Sequence, residues 1–506
     1  MDKKKMYING EWVESSTGHT RDIMNPYNQE IIATVSEGDQ HDAQQAITAA
    51  RQAFDQGDWP LLSMVKRGEV VDRIAELIER DKEELAYLES LNTGKTMEES
   101  RGDMGEIAAV FRYYAELTNA ETDGEAIDSP IPDSTSKIVR GPVGVCGQIT
   151  PWNYPLLQAS WKLAPALAAG NTIVMKPSET TPLTTMKVFE LMEESGVPAG
   201  VVNLVLGAGH SAGAELSSNH DVDLVSFTGG IASGKKIMQA ASSNVKKLAL
   251  ELGGKNPNVI FEDADFETAV DQAMNAVFFH AGQICSAGTR LIVQESIHDS
   301  FVRALVEHVK NIRLGSGFNE STQMGPLISK EHLTKVMNYV EKGKQEGATV
   351  AVGGSRPDTP ELQNGFFYLP TVLTNCTTDM SVVQEEGFGP VITVETFTTE
   401  EEAMRLSNDS VYGLSGGVFT NDIEKAERCA AKMRMGTVWI NDVNLYFPQA
   451  PWGGYKQSGI GRELGKMGLE EYQETKHIYR NMNPKSLNWF KQPFKDNEGD
   501  KNGQIR

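Results

Sequence analysis

Near the start, Tyr7-Ile8 and Trp12-Val13 flank Asn9-Gly10. Asn-Gly readily adopts the left-handed backbone of a two-residue turn, so residues 7–13 predict a hairpin. Residues 42–54, DAQQAITAARQAF, place apolar positions at helical spacing, with Asp42 as N-cap. Helical spacing returns from about Val65 to Ser90. Residues 120–136 are rich in Asp, Ser, Pro and Thr and predict an irregular connection.

From residue 138 the texture changes. IVRGPVGVCGQITPW reads as strand, turn and buried strand. SWKLAPALAAG reads as a helix closed by Gly170, and NTIVMKPSE as a strand entering a polar turn. TTMKVFELMEESG is a helix, VVNLVLG a strand, and DLVSFTGG another strand. This alternation predicts an α/β fold with a parallel, doubly wound sheet. Ligands of such sheets bind beyond the carboxyl ends of the strands. Those ends carry Asn153, Lys176, Glu179, Gly229 and Glu251, so a cofactor is expected there. A second α/β stretch runs from about residue 255 to 450. The polar tail after Asn483 reads as loose, and no internal repeat is apparent.

Composition narrows the classes. The 506 residues allow two or three domains. A formal charge of −22 excludes a nucleic-acid or anionic-membrane partner as the expectation, because both need basic surface. No apolar run approaches a membrane span, and the basic start lacks the apolar segment of a secretory signal. A cytoplasmic protein is expected. Cys146, Cys285, Cys376 and Cys429 form no CxxC pair. The nine His residues show no HxxxH or HExxH spacing, so no catalytic transition metal is expected.

Three segments suggest acyl chemistry. In LALELGGKNPNVIF, a strand ends in Glu251, and Gly253-Gly254 allow a tight turn beside the carboxylate. In HAGQICSAGTR, Cys285 lies among Gly282, Ser286, Ala287 and Gly288, which leave room for a ligand at sulfur. In TPWNYP, Asn153 offers an amide donor for an oxyanion. An isolated Cys is ordinarily a small buried hydrophobe, and an isolated Glu an exposed turn residue. Thiol, carboxylate and amide together read as nucleophile, base and donor. A Cys-His hydrolase is the rival, though sequence order singles out no His as its base. From spacing alone an oxidoreductase stands only modestly above it. The glycine runs GAGHSAG and FTGGIASG each follow a strand, but neither is diagnostic alone.

PWNYP, MKPSE, FTGGIASG, LELGGK, GQIC, EEGFGP and PWGGYKQSG occur in that order along the chain. The set resembles the NAD(P)-dependent aldehyde dehydrogenase superfamily, over about residues 7–480. DSPIPDSTSKIVRGPVGVCGQITPWNYPLLQASW and YFPQAPWGGYKQSGIGRELG are similar to the betaine aldehyde dehydrogenases of Gram-positive bacteria.

The resemblance implies Cys285 as nucleophile, Asn153 and the Cys285 backbone N–H as oxyanion donors, and Glu251 as the base that activates water. It implies NAD, held by Trp152, Lys176, Ser178, Glu179, Gly229, Glu386 and Phe388. A carboxylate at Glu179 would repel the 2′-phosphate of NADP. It implies an aromatic box for a trimethylammonium group from Tyr154, Trp161, Phe279, Tyr446 and Trp452, with Thr437 small enough to leave room beside Trp452. The substrate would be betaine aldehyde. Aminoaldehydes, aliphatic aldehydes, a CoA-acylating semialdehyde reaction and a catalytically silent relative are the alternatives. Some related enzymes use potassium, for which the sequence locates no site.

The implied domains are a cofactor domain at 1–122 and 142–252, a catalytic domain at 253–450, an oligomerisation arm at 123–141 and 470–483, and a flexible tail at 484–506. A homodimer or homotetramer is expected. Several positions depart from relatives. Gly230 stands where many carry Ser, and Gly387 replaces a larger apolar residue, which predicts a looser turn at Glu386. Asn444-Leu445 replace a His-Pro pair, and Pro448 replaces Ala, so the rim of the box is expected to differ.

Overall fold

Two β-sheets carry the architecture of this computed structural model, which describes residues 3–120 and 124–490. Most of the expected tail, residues 491–506, lies outside the described residues.

The first sheet has eight strands. Its parallel centre runs Lys247–Glu251, Leu224–Thr228, Val145–Ile149, Thr172–Lys176, Val202–Leu204. These short apolar runs are buried on both faces, as parallel strands between helices must be. The chain starts at Val145–Ile149, winds one way through 172 and 202, then returns to the other side at 224 and 247. That reversal opens a crevice beyond the carboxyl ends of Val145–Ile149 and Leu224–Thr228. The helix Pro155–Ala169 is buried along its whole length and closes on Gly170 in the left-handed conformation, φ 94°.

The amino-terminal hairpin joins this sheet. Met6–Ile8 pairs antiparallel with Glu11–Val13, and Asn9 and Gly10 turn with φ 52° and 81°. The helix Gln40–Gln56 is capped by Asp39, not Asp42. Asp39 accepts the Asp42 N–H while the Asp42 carboxylate accepts the Asp39 N–H at 3.1 Å, a reciprocal box in which Asp42 is the inner partner. The helical stretch from 65 to 90 is two helices, Met64–Arg80 and Lys82–Thr93, because Asp81 leaves helical geometry at φ −100°, ψ 17°. Periodicity continues across such a break, so the pattern alone hides it.

The second sheet has seven strands: Thr349–Val352, Thr371–Thr374, Val391–Phe397, Arg290–Gln294, Pro257–Ile260, Ser415–Phe419 and Thr437–Ile440. All neighbours are parallel except the first pair. Residues Leu252–Asn256 are all that separates Lys247–Glu251 from Pro257–Ile260, the first formed strand of the second sheet, and the chain returns to the first sheet at Gly459–Ile460, antiparallel to Lys247–Glu251. Within the second sheet, the buried Arg290 guanidinium bonds both oxygens of buried Glu395, at 2.9 and 3.2 Å.

Described residues up to 120 and from 142 to 474 form one compact unit, and 124–141 with 475–490 form another. The stretch expected to be irregular contains strands, Glu125–Ile127 paired antiparallel with Ser134–Pro142. These join Gln473–Asn481 in a three-stranded sheet with Ser134–Pro142 in the middle. Alternating polar residues and Pro obscured this pairing in the sequence. Among the described residues, no helix is long and apolar enough to cross a membrane.

Removing one partner of a buried ion pair strands the other charge at a cost of about 3–5 kcal/mol. Arg290→Met should therefore lower the thermal unfolding temperature clearly, whereas Arg73→Met, at an exposed pair, should leave it nearly unchanged. Differential scanning fluorimetry of the two variants checks this.

Candidate active site

The crevice at the strand reversal continues into a cavity of about 210 Å³ where the two sheets meet. Trp152, Asn153 and Tyr154 enter it from the end of Val145–Ile149, Gly229 from the end of Leu224–Thr228, and Glu251 from the end of Lys247–Glu251. Cys285 enters from the loop before Arg290–Gln294, and Glu386 and Phe388 from the loop before Val391–Phe397.

Gly253 and Gly254 make this convergence possible. Neither takes a positive φ, so a left-handed turn is not their purpose. A Cβ at Gly253 would collide with the Glu386 carboxylate, and one at Gly254 would lie 2.5 Å from the Cys285 carbonyl oxygen. The Gly254 N–H donates to Glu386 Oε1 at 3.0 Å. The Asn256 amide donates to the Cys285 and Ala287 carbonyls at 2.8 and 3.0 Å. The glycine pair thus brings the Cys285 loop and the 386 loop against one strand end.

The looser turn expected at Glu386 is not found. The Tyr339 ring fills the space left by Gly387, where a Cβ would lie 2.6 Å from it. Lys255 Nζ donates to the Tyr339 hydroxyl at 2.9 Å.

Asn153 is buried, and its Nδ2 donates one proton to the Gln283 carbonyl at 2.8 Å. An amide nitrogen carries two protons, which leaves one for the cavity. Glu251 is buried and neither carboxylate oxygen makes a hydrogen bond of good geometry, though the Trp452 side chain lies close enough to favour its charged form. Burial, then the nearby Glu463 carboxylate, push its pKa well above the usual carboxylate range, and Lys162 and Arg462 partly offset this. Glu463 itself pairs with buried Lys162. Burial pushes the Cys285 thiol up to about 12, with Glu386 and Glu251 adding to the shift. Burial likewise raises Glu386, to about 6.

The other expected residues fall into groups. Lys176 is buried and donates to the Pro177 and Gly207 carbonyls at 2.8 and 2.9 Å, with Glu179 at 3.5 Å. Ser178 and Glu179 line a shallow recess with Arg21 and Glu37. Trp161, Tyr446 and Trp452 form one ring cluster, with centroids 5.0 to 6.2 Å apart. Tyr154 faces the Cys285 cavity, whereas Trp161 and Tyr446 line a second cavity of about 220 Å³. Tyr446 bonds Ser286 beside Cys285.

Phe279 does not join the described ring cluster. It is 47% exposed and lines a separate cavity of about 480 Å³. The left-handed turn that follows it carries Cys285 in another direction, which sequence distance cannot reveal.

Several residues lacked a sequence signal. Trp439 joins the aromatic cluster, 6.0 Å from Tyr446 and 6.2 Å from Trp452. His332 lines the cavity, donates to the Phe388 carbonyl at 2.6 Å and packs on Trp152. Burial lowers its pKa to about 4, so it is neutral and its bond fixes the 388 backbone. At the rim, Asn444 turns with φ 52° and accepts the Ser286 hydroxyl at 2.8 Å. Asn tolerates this conformation better than most residues, which gives the departure a backbone reason. Among the described residues, no group of three or more His, Cys, Asp or Glu is placed to hold a metal ion.

A half-buried thiol, a buried carboxylate and an amide donor around one cavity, beside a doubly wound sheet, are the groups a thiol-dependent α/β enzyme would need. Residues 12–478 match the aldehyde dehydrogenase family, and the chain belongs to it. It is 67% identical to betaine aldehyde dehydrogenase of Bacillus subtilis (strain 168), covering 96% of this chain and 99% of that one. It is 42% identical to a peroxisomal aminoaldehyde dehydrogenase of Pisum sativum, covering 97% and 98%. A crystal structure of betaine aldehyde dehydrogenase from Staphylococcus aureus in complex with NAD+ superposes with a TM-score of 0.95. That protein is 62% identical, with 97% of each chain covered.

A thiol with its pKa near 12 is almost wholly protonated at neutral pH, and its thiolate fraction rises about tenfold per pH unit below that value. Iodoacetamide should therefore alkylate Cys285 in the protein without NAD at a rate that climbs steadily from about pH 7 to 10. Mass spectrometry of the Cys285 peptide over time checks the profile. A plateau near the ordinary thiol pKa of about 8.5 would contradict it.

Proposed function

We propose that this chain oxidises betaine aldehyde to glycine betaine with NAD, through a thioester on Cys285. The observation that carries the reading is the convergence of Cys285, Asn153 and Glu251 on one cavity, beside an aromatic cluster.

The residues present fit the cofactor. Gly230 precedes the helix Ile231–Ala241, and a Cβ there would meet nothing within 4 Å, so the backbone is open to a phosphate. Lys176 and Glu179 would hold ribose hydroxyls, Glu386 the second ribose, and Phe388 and Trp152 would flank the nicotinamide end. A carboxylate at 179 disfavours a 2′-phosphate, which supports NAD over NADP. Bound NAD supplies the acceptor for the hydride that the substrate carbon loses.

The protein's own groups do the rest. Cys285 sulfur, once deprotonated, bonds the aldehyde carbon. The free Asn153 proton and the Cys285 N–H stabilise the oxyanion, each such donor contributing typically about 100- to 1000-fold. Glu251, in its ionised form, takes a proton from water as that water attacks the thioester carbon, releasing the acid and the thiol. Its raised pKa makes it a strong base once ionised, so this step should quicken as pH rises.

Substrate charge follows from the rings. A cation over an aromatic face gains roughly 0.5–2 kcal/mol per good contact. Tyr154, Trp161, Tyr446 and Trp452, with Trp439 behind them, are the faces on offer. The exposed strand Gln473–Asn481, at the edge of its small sheet, supports pairing with a second copy in a homodimer or homotetramer. Four free cysteines fit a reducing cytoplasm.

Glu251→Gln removes the base and keeps the shape. It should release up to one NADH per site in a rapid burst and then nearly stop, as read by stopped-flow absorbance. Steady turnover at the unmutated rate would refute the role.

Betaine aldehyde should have a higher kcat/KM than its neutral isostere 3,3-dimethylbutanal, and Trp452→Ala should erase most of that preference. Equal values in the unmutated enzyme would leave an aldehyde dehydrogenase without a charge-selective site.

A further inference from the structure

The loop before Cys285 contains three successive left-handed residues. His280 has φ 45°, ψ 37°, Ala281 has φ 53°, ψ 35°, and Gly282 has φ 73°. Glycine takes this conformation freely, but His and Ala do so only at a cost that surrounding structure must offset. Gly282 cannot gain a side chain, since its Cβ would collide with the Gly389 carbonyl.

A carboxylate from elsewhere in the chain grips this turn, on which the Tyr154 ring also packs, 5.5 Å from the His280 ring. Glu99, in the first turn of the helix Met97–Ala120, accepts the His280 N–H on Oε1 at 2.6 Å. Its other oxygen accepts the Thr96 N–H and hydroxyl, both at 2.8 Å, and the Thr96 hydroxyl accepts the Glu99 N–H at 3.2 Å. Glu99 thus closes a capping box with one oxygen and grips the strained turn with the other. From His280 the connection runs to the reacting groups. The His280 carbonyl accepts the Gln283 N–H at 3.1 Å and the Gln283 side-chain amide at 2.9 Å. The Gln283 carbonyl accepts the Asn153 amide at 2.8 Å. A slip at His280 would move both the Asn153 amide and Cys285, five residues further on.

We propose that Glu99 is a positioning residue, whose carboxylate locks the left-handed turn at 280–282 and so sets the aim of Cys285 and Asn153. The proposal rests on Cys285 being the nucleophile.

Glu99→Gln retains the shape but has one acceptor oxygen, so it cannot serve both Thr96 and His280. It should lower kcat and the rate of Cys285 alkylation by iodoacetamide by about tenfold each, a small displacement being enough for such losses. The KM for NAD should stay within about twofold, because the ribose and phosphate contacts lie elsewhere. Ala281→Gly removes the steric cost of the turn. Added to Glu99→Gln, it should restore most of both rates, which a general loss of stability would not allow. Glu99→Asp, which keeps the cap but falls short of His280, should repeat the loss.

Unchanged kcat and alkylation in Glu99→Gln would overturn the proposal. So would losses that follow the unfolding temperature and persist with Ala281→Gly. Cys285→Ala separates the two readings. Aldehyde oxidation retained by that variant refutes the nucleophile itself, whereas its inactivity beside a normal Glu99→Gln refutes only the positioning role.

Discussion

Two absent side chains, at Gly253 and Gly254, let the reactive groups meet. The chain leaves the first sheet at Glu251 and enters the second at Pro257, so this short link borders both. A single methyl group at Gly253 would displace Glu386, and one at Gly254 would displace Cys285. With both sites bare, the link that follows Glu251 also supplies the Gly254 N–H for Glu386 and the Asn256 amide for the Cys285 loop. Strand end, Cys285 loop and 386 loop are registered by hydrogen bonds to one segment, each worth little alone and costly to leave unmade in the interior.

Burial then sets the resting electrostatics. Cys285 and Glu251 both sit where the charged form is disfavoured, and their anions would repel each other. Both groups are biased toward their neutral forms, and Cys285 reactivity depends on removing a proton rather than on a preformed thiolate. Lys162 and Glu463 place a paired charge nearby, and Trp452 is tied to Glu463 by backbone bonds of 2.6 and 2.7 Å. The same local structure thus carries one wall of the aromatic cluster and the groups that bias Glu251.

Local rules were legible where one residue type has one physical use. Asn9-Gly10 formed its turn, and Gly170 closed its helix. Parallel strands alternating with helices followed from short apolar runs, and with them the strand ends that bear Trp152, Asn153, Gly229 and Glu251. Competing local choices were harder. Asp39 and Asp42 can each cap a helix, and only the reciprocal bonds between them decide which is the outer residue. Asp81 breaks a helix without breaking its period. Phe279 lies six residues from Cys285 yet faces another cavity, because the backbone reverses hand between them. His332 sits in a helix and Trp439 in a short strand, and the rings they meet, Trp152 and Phe388 for the one and Tyr446 and Trp452 for the other, lie in loops.

By itself the sequence determined the alternation of strands and helices, the crevice that this order creates, and the family, through ordered motifs that span nearly the whole chain. These depend on periodicity, chain reversal and residue chemistry, all of which are local or follow the order of residues. The tertiary structure alone decided which side of each loop faces the cavity, why Gly253 and Gly254 need space rather than a left-handed backbone, and how far Glu251 and Cys285 are shifted toward their neutral forms. It also revealed the reach of Glu99 to His280 across 181 positions. Distances, burial and carboxylate proximity depend on segments far apart in sequence, and no pattern within one segment encodes them.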